Sequence, residues 1–258
     1  MAQPSNAALP LSGRTILVTG ASGGIGRAIA ARIADRGGHP ILHCGRNRAA
    51  AEDLLAQLDG RGTLVQADLS HPSGAAELWA RAQELHPRIH ALVNNAGVRA
   101  PAPFEADLQT WQAAWALDLR VNLLAPADLC KSAVAHFRAQ GGGRILNIAS
   151  RAAQRGYTEE FMPYGASKAG LINLTKSLAR SFGKDGIVAI AVAPGFVRTE
   201  MAEEFVRAHG AEAAMGDIPI GEMVDPAELA DLTAFLLQDD HRSLNGATVD
   251  VNGGSYLR

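Results

Sequence analysis

The stretch from Arg14 to about Arg36 leaves the chain little choice about how it begins to fold. Arg14 to Thr19 (Arg-Thr-Ile-Leu-Val-Thr) is a short apolar run, Gly20-Ala21-Ser22-Gly23-Gly24-Ile25-Gly26 interrupts it, and an Ala-rich helical pattern follows. Strand, glycine turn and helix in direct succession form the opening unit of an α/β sheet. Glycine lets the backbone turn tightly and come close to a ligand, while the free N–H groups and positive end of the helix favour a pyrophosphate. In this position the unit reads as nucleotide-binding. A glycine cluster elsewhere would only mark a turn.

The pattern then repeats. Pro40 to Cys44 is a second apolar strand, ending in Gly45-Arg46-Asn47-Arg48. Dinucleotide folds that bind NAD place an acid near this point to hold the ribose hydroxyls. Here Gly45 puts no carboxylate in the way of a 2'-phosphate, and the Arg46 guanidinium suits pairing with one. Thr63 to Ala67 is a third strand. It leads into Asp68-Leu69 and a helix to about Leu85, where Asp68 either touches an adenine or caps the turn. Ile89 to Val93 is a fourth strand, followed by Asn94-Asn95-Ala96-Gly97, whose carboxamides suit either a ligand contact or backbone groups at a strand end. One helical region from about Asp107 to Arg138 carries a polar Asn122 among apolar neighbours, a residue that holds a backbone carbonyl or an ordered water. Gly142 to Ala149 is a fifth strand with Ser150 at its end.

Tyr164-Gly165-Ala166-Ser167-Lys168 opens a helix whose apolar residues recur through Leu171, Leu174, Leu178 and Phe182. Side chains four apart share a face, which sets the Tyr164 phenol beside the Lys168 ammonium. A fixed positive charge there is expected to lower the phenol pKa toward a range useful for proton exchange. Ile187 to Ala193 gives a sixth strand closed by Pro194-Gly195-Phe196-Val197-Arg198-Thr199. A mixed segment follows, with Met201, Phe205, Met215, Ile218, Ile220 and Met223, then a helix from Pro226 to about Leu237 and a last strand, Ala247 to Val251. Seven strands alternating with helices predict a single α/β domain of the Rossmann type from residue 13 to 258, doubly wound around a mainly parallel sheet. Residues 1–12 read as a flexible arm.

Composition excludes several classes of function. With 258 residues, 47% of them hydrophobic, the chain has material for one large core. A formal charge of -2 and a pI near 6.4 supply no basic surface for nucleic acid or anionic lipid. No apolar run reaches membrane-spanning length and no signal-peptide pattern starts the chain, so a cytoplasmic protein is expected. Cys44 and Cys130 lack metal or redox spacing and read as buried apolar side chains. Pro87 between His86 and His90 disfavours a shared helical face, so no metal site is expected.

Taken in order, Thr19-Gly20 with Gly24-Ile25-Gly26, Asp68-Leu69, Asn94-Asn95-Ala96-Gly97, Asn122, Ser150, Tyr164 with Lys168, Pro194-Gly195 with Thr199, and Asn252-Gly253-Gly254 resemble the short-chain dehydrogenase/reductase family, in its branch of roughly 250 residues. The resemblance runs from Arg14 to about Gly254. It implies a ketone–alcohol oxidoreductase in which Asn122, Ser150, Tyr164 and Lys168 serve catalysis. Ser150 orients the substrate oxygen, Tyr164 is the general acid or base, and Lys168 holds the nicotinamide ribose. Asn122 positions a water that links Lys168 to solvent. Gly20, Ser22, Gly24, Ile25 and Gly26 hold the pyrophosphate, Arg46 the 2'-phosphate, and Asp68 with Leu69 the adenine side. Asn95, Ala96, Gly97, Pro194, Gly195, Val197 and Thr199 complete the cofactor wall. NADP(H) is thus favoured over NAD(H). Residues 196–224 correspond to a mobile lid in the family, and a homotetramer or homodimer built on the Asn122 and Tyr164 helices is expected.

The family's most populated activity, reduction of 3-oxoacyl thioesters, is the first single expectation for the substrate. Gly141 and Asp185 stand where carrier-protein reductases tend to have basic residues at the site entrance, which brings a polyol, sugar, steroid or cyclic ketone nearly level. A cofactor-binding regulator without turnover is a more distant alternative, since Tyr164 and Lys168 are both intact. Two departures from the family pattern stand out. Gly23 occupies a position that is basic in many NADP-preferring relatives, and the interval from Ser150 to Tyr164 is one residue longer than usual, an insertion for the loop 151–163 to absorb.

Overall fold

The structure, a computed structural model, describes residues 9–257. Seven parallel strands form one sheet in the spatial order β3-β2-β1-β4-β5-β6-β7. They are β1 (Thr15–Val18), β2 (His39–Cys44), β3 (Thr63–Gln66), β4 (Ala91–Asn94), β5 (Gly143–Ile148), β6 (Ile187–Pro194) and β7 (Thr248–Val251). The expected strands are all present, and the sheet is wholly rather than mainly parallel. β4 begins two residues later than its apolar run, because the Ile89 N–H is taken by His136 Nε2 at 3.1 Å instead of by a neighbouring strand.

The helices are α1 (Gly24–Asp35), α2 (Arg48–Gln57), α3 (Gly74–Leu85), α4 (Leu108–Leu119), α5 (Ala125–Gln140), the single turn α6 (Ala152–Arg155), α7 (Met162–Phe182), α8 (Glu200–His209), α9 (Ala211–Met215) and α10 (Pro226–Leu236). A strand sends alternate side chains to opposite faces. Ile16 and Val18 accordingly pack with Ile29 and Ile33 of α1 and Leu229 of α10, while Leu17 meets Leu78 of α3, Phe137 of α5 and Leu178 of α7. Both faces are covered, which is why β6 is apolar at every position and buried throughout. The chain winds outward from β1 to β3, then returns to place β4 on β1's other side. That reversal opens a crevice at the carboxyl ends of β1 and β4.

Three local features differ from expectation. The helical region 107–138 is continuous but widens into a π turn at Arg120–Leu124, which aims Asn122 into the interior with no exposed surface. The arm reading extends too far. Residues 1–8 lie outside the described residues, but Leu11 is fully buried and its N–H bonds Arg36 O at 2.9 Å, so an apolar side chain anchors this end to α1. Asn94 is buried among side chains rather than turned to a ligand. It faces its register partner Asn147 across β4 and β5, donating through Nδ2 to Asn147 Oδ1 at 2.8 Å, and Asn147 Nδ2 continues to Thr175 Oγ1 at 2.8 Å.

Candidate active site

The glycine turn is fixed by its backbone. A Cβ on Gly26 would sit 2.2 Å from Gly20 O and 2.5 Å from Asn95 Nδ2, so α1 rests directly on the preceding turn. Gly20 has φ +66°, and its own Cβ would lie 2.9 Å from Ala96 Cα. Asn95 Nδ2 donates to Thr19 O at 2.9 Å and Gly20 O at 3.2 Å, while Thr19 Oγ1 accepts the N–H groups of Asn95 and Ala96, each at 2.9 Å. The ends of β1 and β4 are thereby stitched together under the crevice.

His43, which sequence reasoning passed over, holds the turn from the other side. Its Nδ1 accepts the Gly20 N–H at 3.1 Å, so the ring proton sits on Nε2 and is donated to Ala67 O, also at 3.1 Å. Burial pulls its pKa down to about 4, against weaker opposing contributions from the Ala67 bond and the Asp68 charge. The signal was a lone polar residue inside an otherwise apolar strand. Beyond β2, a Cβ on Gly45 would meet open space, and Arg46 is exposed at the cleft. Asp68 caps its own turn, with Oδ1 accepting from Ser70 N at 2.9 Å and Ser70 Oγ at 2.6 Å. Those bonds, helped by Arg46, hold its pKa below the usual carboxylate range.

The chemistry-bearing end lies past β5. Lys168 is buried on α7, and its Nζ donates to Ile148 O at 2.8 Å. Burial lowers its pKa to about 8, with Asp118 opposing. Ser150 acts on the Tyr164 hydroxyl and tends to lower its pKa, and Ser150 Oγ accepts Ala152 N at 3.1 Å. The expected lowering of the phenol pKa is not what this arrangement gives. Burial pushes it up, Ser150 opposes, and the ammonium, 5.8 Å from the ring centroid, is turned to the β5 carbonyl. Asn122 Oδ1 accepts Val98 N at 2.8 Å, and its Nδ2 donates to Val98 O and Asp118 Oδ1, both at 2.9 Å, with Ser167 Oγ at 3.1 Å. Its amide protons are thus committed to the 98 loop and to α4 and α7.

These groups share one cleft of about 900 Å³. Gly20, Ser22, Gly24 and Ile25 line it from the first turn, Arg46, Asp68 and Leu69 from the ends of β2 and β3, and Asn95, Ala96 and Gly97 from β4. Ser150, Tyr164 and Lys168 line it from β5 and α7, and Gly195, Val197 and Thr199 from beyond β6. Gly26, Asn122 and Pro194 do not reach the surface of the cleft; they support residues that do. Thr199 caps α8, accepting Ala202 N at 3.4 Å, and lies so near the start of α1 that a Cβ on Gly24 would be 3.3 Å from its methyl. The segment after β6 returns on itself, with Arg198 N bonded to Val224 O and Val224 N to Phe196 O, both at 2.9 Å. The Met201 side chain lies outside the described residues.

Arg99, Arg151 and Tyr157 also line the cleft and were missed. Arg99 follows Asn94-Asn95-Ala96-Gly97 by two residues. Tyr157 sits in the lengthened interval before Tyr164, which folds into α6, a Gly156 at φ +80° and a 3₁₀ turn rather than a plain loop. His86 and His90 separate, the first bonding Thr63 Oγ1 and the second Thr15 N. Cys44 and Cys130 are buried free thiols.

Residues 20–256 match the family model described as Enoyl-(Acyl carrier protein) reductase. The chain belongs to the short-chain dehydrogenase/reductase family. It is 30% identical over 247 residues to the 3-oxoacyl-[acyl-carrier-protein] reductase FabG of Vibrio cholerae, covering 96% of this chain and 99% of that protein. A Beutenbergia cavernae structure assigned as an NAD(P)-dependent gluconate 5-dehydrogenase, with NADP at low occupancy, superposes with a TM-score of 0.86 at 33% identity, covering 96% of this chain and 99% of that one. A 3-oxoacyl (acyl-carrier-protein) reductase of Agrobacterium tumefaciens with NADP bound gives a TM-score of 0.86 at 30% identity, with 95% of each chain covered. The protein is therefore an NAD(P)-dependent oxidoreductase of this family. No helix among the described residues is long and apolar enough to cross a membrane.

Membership does not place a carrier-protein entrance at Gly141 and Asp185. Gly141 ends α5 at φ +87°, just before β5, and Asp185 precedes β6 and bonds Arg138 Nε at 2.6 Å. Both lie at the amino edge of a parallel sheet whose strands rise about 3.3 Å per residue, so the length of β5 separates them from Ser150. Their lack of positive charge is no argument about what enters this chain's cleft.

Proposed function

We propose that this enzyme interconverts a ketone and a secondary alcohol with NADP(H). The observation that carries the reading is the Ser150–Tyr164 hydroxyl pair at the carboxyl end of β5, with the Lys168 cation one helical turn along α7. Bound in the crevice, the nicotinamide supplies or accepts the hydride. The residues present fit such a cofactor. α1 begins at Gly23 without a side-chain cap, which leaves its first N–H groups to a pyrophosphate, and Arg46 stands exposed beside an open Gly45 where a 2'-phosphate needs a cation. Asp68 and Leu69 border the adenine side. Asn95 to Gly97 on one side, and Gly195, Phe196, Val197 and Thr199 on the other, form the two walls toward the nicotinamide.

Ser150 holds the substrate oxygen and Tyr164 moves a proton to or from it. A phenol whose pKa is raised by burial keeps its proton at neutral pH, which suits donation to the oxygen of a ketone undergoing reduction. Lys168, mostly protonated below its pKa of about 8, adds positive charge where negative charge develops. Asn122 fixes the 98 loop and the start of α7 behind these groups. Residues 196–224 act as a lid over the substrate within a single domain that takes in Leu11 at its start. Leu124, exposed between α4 and α5, supplies apolar surface for a homodimer or homotetramer.

Two substrate classes have support. Similarity to carrier-protein reductases favours 3-oxoacyl thioesters. Similarity to a gluconate dehydrogenase favours sugar-derived alcohols and ketones. NADPH absorbance followed across 3-oxoacyl thioesters, sugars and cyclic ketones separates them, and binding without turnover on any of these supports the regulator reading instead. Tyr164→Phe keeps the ring packing and loses only the transferable proton, so kcat falls about 10²- to 10⁴-fold while NADPH affinity stays near wild type. A variant retaining half its rate would remove Tyr164 from the acid role.

A further inference from the structure

Beside Tyr164 the cleft opens into a side chamber of about 330 Å³, and Arg99 lines both spaces. We propose that Arg99 and Tyr157 form a carboxylate subsite next to the transfer phenol, so that the substrate is a small hydroxy or keto acid. The inference rests on the oxidoreductase reading and names the substrate class for it.

Arg99 is prearranged for an anion. Its Nη1 donates to Tyr157 Oη at 2.8 Å, and its guanidinium lies 4.5 Å from the Phe161 ring centroid, so the planar group is fixed in place. Tyr157 accepts that bond and keeps its own O–H to donate. A carboxylate between them receives a charge-assisted bond from the guanidinium and a second from the phenol. The Tyr157 and Tyr164 rings stand 5.8 Å apart, which sets the anion only a few bonds from the carbon whose oxygen Tyr164 serves.

Neighbouring charges select Arg99 for this task. Arg151 and Arg155 also line the chamber, but both are paired with Asp217, the first at 3.1 Å. Arg99 has no carboxylate within ion-pair distance among the described residues. Its charge is felt by Asp118 and by the Tyr164 hydroxyl, which places it on the reacting side. Three arginines against one aspartate leave the described lining of the chamber at a formal +2. Phe161 and Phe196 form apolar walls there, which strengthen a charge interaction by excluding water. A neutral polyol leaves this cation unpaired, and so does an acyl chain.

The test compares acids with neutral partners of the same skeleton: 4-oxopentanoate with its methyl ester in reduction, and D-gluconate with D-glucitol in oxidation. The acid is expected to have the higher kcat/KM in at least one pair, with the difference in KM. Arg99→Met brings that ratio down about 10- to 150-fold, the range of one charge-assisted bond. Arg99→Lys restores part of it, which a packing role for the side chain would not. Calorimetric titration of wild type with the same two acids in the presence of NADP+ gives a readout independent of turnover, and weaker binding to Arg99→Met supports the subsite. Equal ratios in wild type and Arg99→Met, or acids that neither bind nor turn over, overturn it. Turnover of neutral ketones alone sinks the subsite and leaves the oxidoreductase reading standing. Failure of every ketone and alcohol, with acids still binding through Arg99, sinks the oxidoreductase reading and leaves an anion site.

Discussion

The two halves of the cleft are built from different materials. On the side of β1 to β4 the surface is mostly backbone, held by Asn95, Thr19 and His43 through bonds to main-chain atoms of neighbouring strands. On the side beyond β5 and β6 it is mostly long side chains, Tyr157, Arg151 and Phe196, joined by Arg99 from the segment after β4. A surface of backbone offers the same N–H groups whatever its neighbours and suits a constant ligand. A surface of side chains changes with each substitution and suits a variable one.

Gly45 and Arg46 are the exception on the first side, and they allow the sharpest test of the contrast. A Cβ at Gly45 meets nothing, so Gly45→Asp costs little in packing, accepts from the NADH ribose hydroxyls and repels a 2'-phosphate. Its expected outcome is reversed cofactor preference. Arg46→Ala alone lowers the NADPH preference about 10- to 150-fold and leaves NADH kinetics almost unchanged. The measurement is kcat/KM for both cofactors on three proteins. A wild type that already prefers NADH ends the assignment of Arg46.

Acid titration probes how firmly the first half is held. His43 has a folded pKa of about 4 against an ordinary 6.5, so between those values the unfolded chain binds a proton that the folded protein excludes. The stability this residue contributes is complete above pH 6.5 and is lost as pH falls toward 4, by about 3 kcal/mol. His39, His86, His90 and His136 are also lowered, chiefly by burial, so the quantity to read is the difference between wild type and His43→Asn in urea midpoints from pH 7 to 4. Parallel curves would show that the Gly20–His43–Ala67 link does not exclude the proton.

Smaller effects mark the ends of the contrast. Gly26→Ala drives a methyl into the Gly20 carbonyl and is expected to cost about 2 kcal/mol, whereas Gly45→Ala is close to neutral. Thermal melts of the pair decide it. Asp217→Asn loosens contacts to Arg151 and Arg155 at a partly exposed site, so stability changes by less than about 1 kcal/mol. If the lid matters to substrate capture, KM rises while the melting temperature stays put. The reverse pattern would make Asp217 a structural residue only.

What the sequence disclosed follows the same division. Glycines that accommodate backbone and strands buried on both faces leave local marks, so Gly20 to Gly26, the seven strands and the Tyr164–Lys168 spacing were readable in advance. Arg99 and Tyr157 are 58 positions apart and meet only through tertiary structure, and neither residue type is unusual in a loop. The phenol pKa was misjudged for a related reason. Spacing shows that Lys168 shares a face with Tyr164, but the carbonyl its ammonium chooses and the depth of burial belong to the packed molecule. The π turn at Asn122 was equally hidden, since one wider turn leaves the apolar period of the flanking helices almost unchanged.

The Asn94–Asn147 pair bears on how the sheet is assembled. The apolar residues of β4 and β5, Leu92 and Val93 beside Ile145 and Leu146, give little reason by themselves to prefer one alignment over a neighbouring one, since an offset by two residues keeps the same faces buried. The two carboxamides meet only in the native alignment, and a slipped strand would strand both of them in hydrocarbon. In the native sheet their bond pins the register of its two central strands. Asn94→Leu paired with Asn147→Leu should therefore lower the yield of correctly refolded protein more than its equilibrium stability, and an unchanged yield would deny the pair that duty.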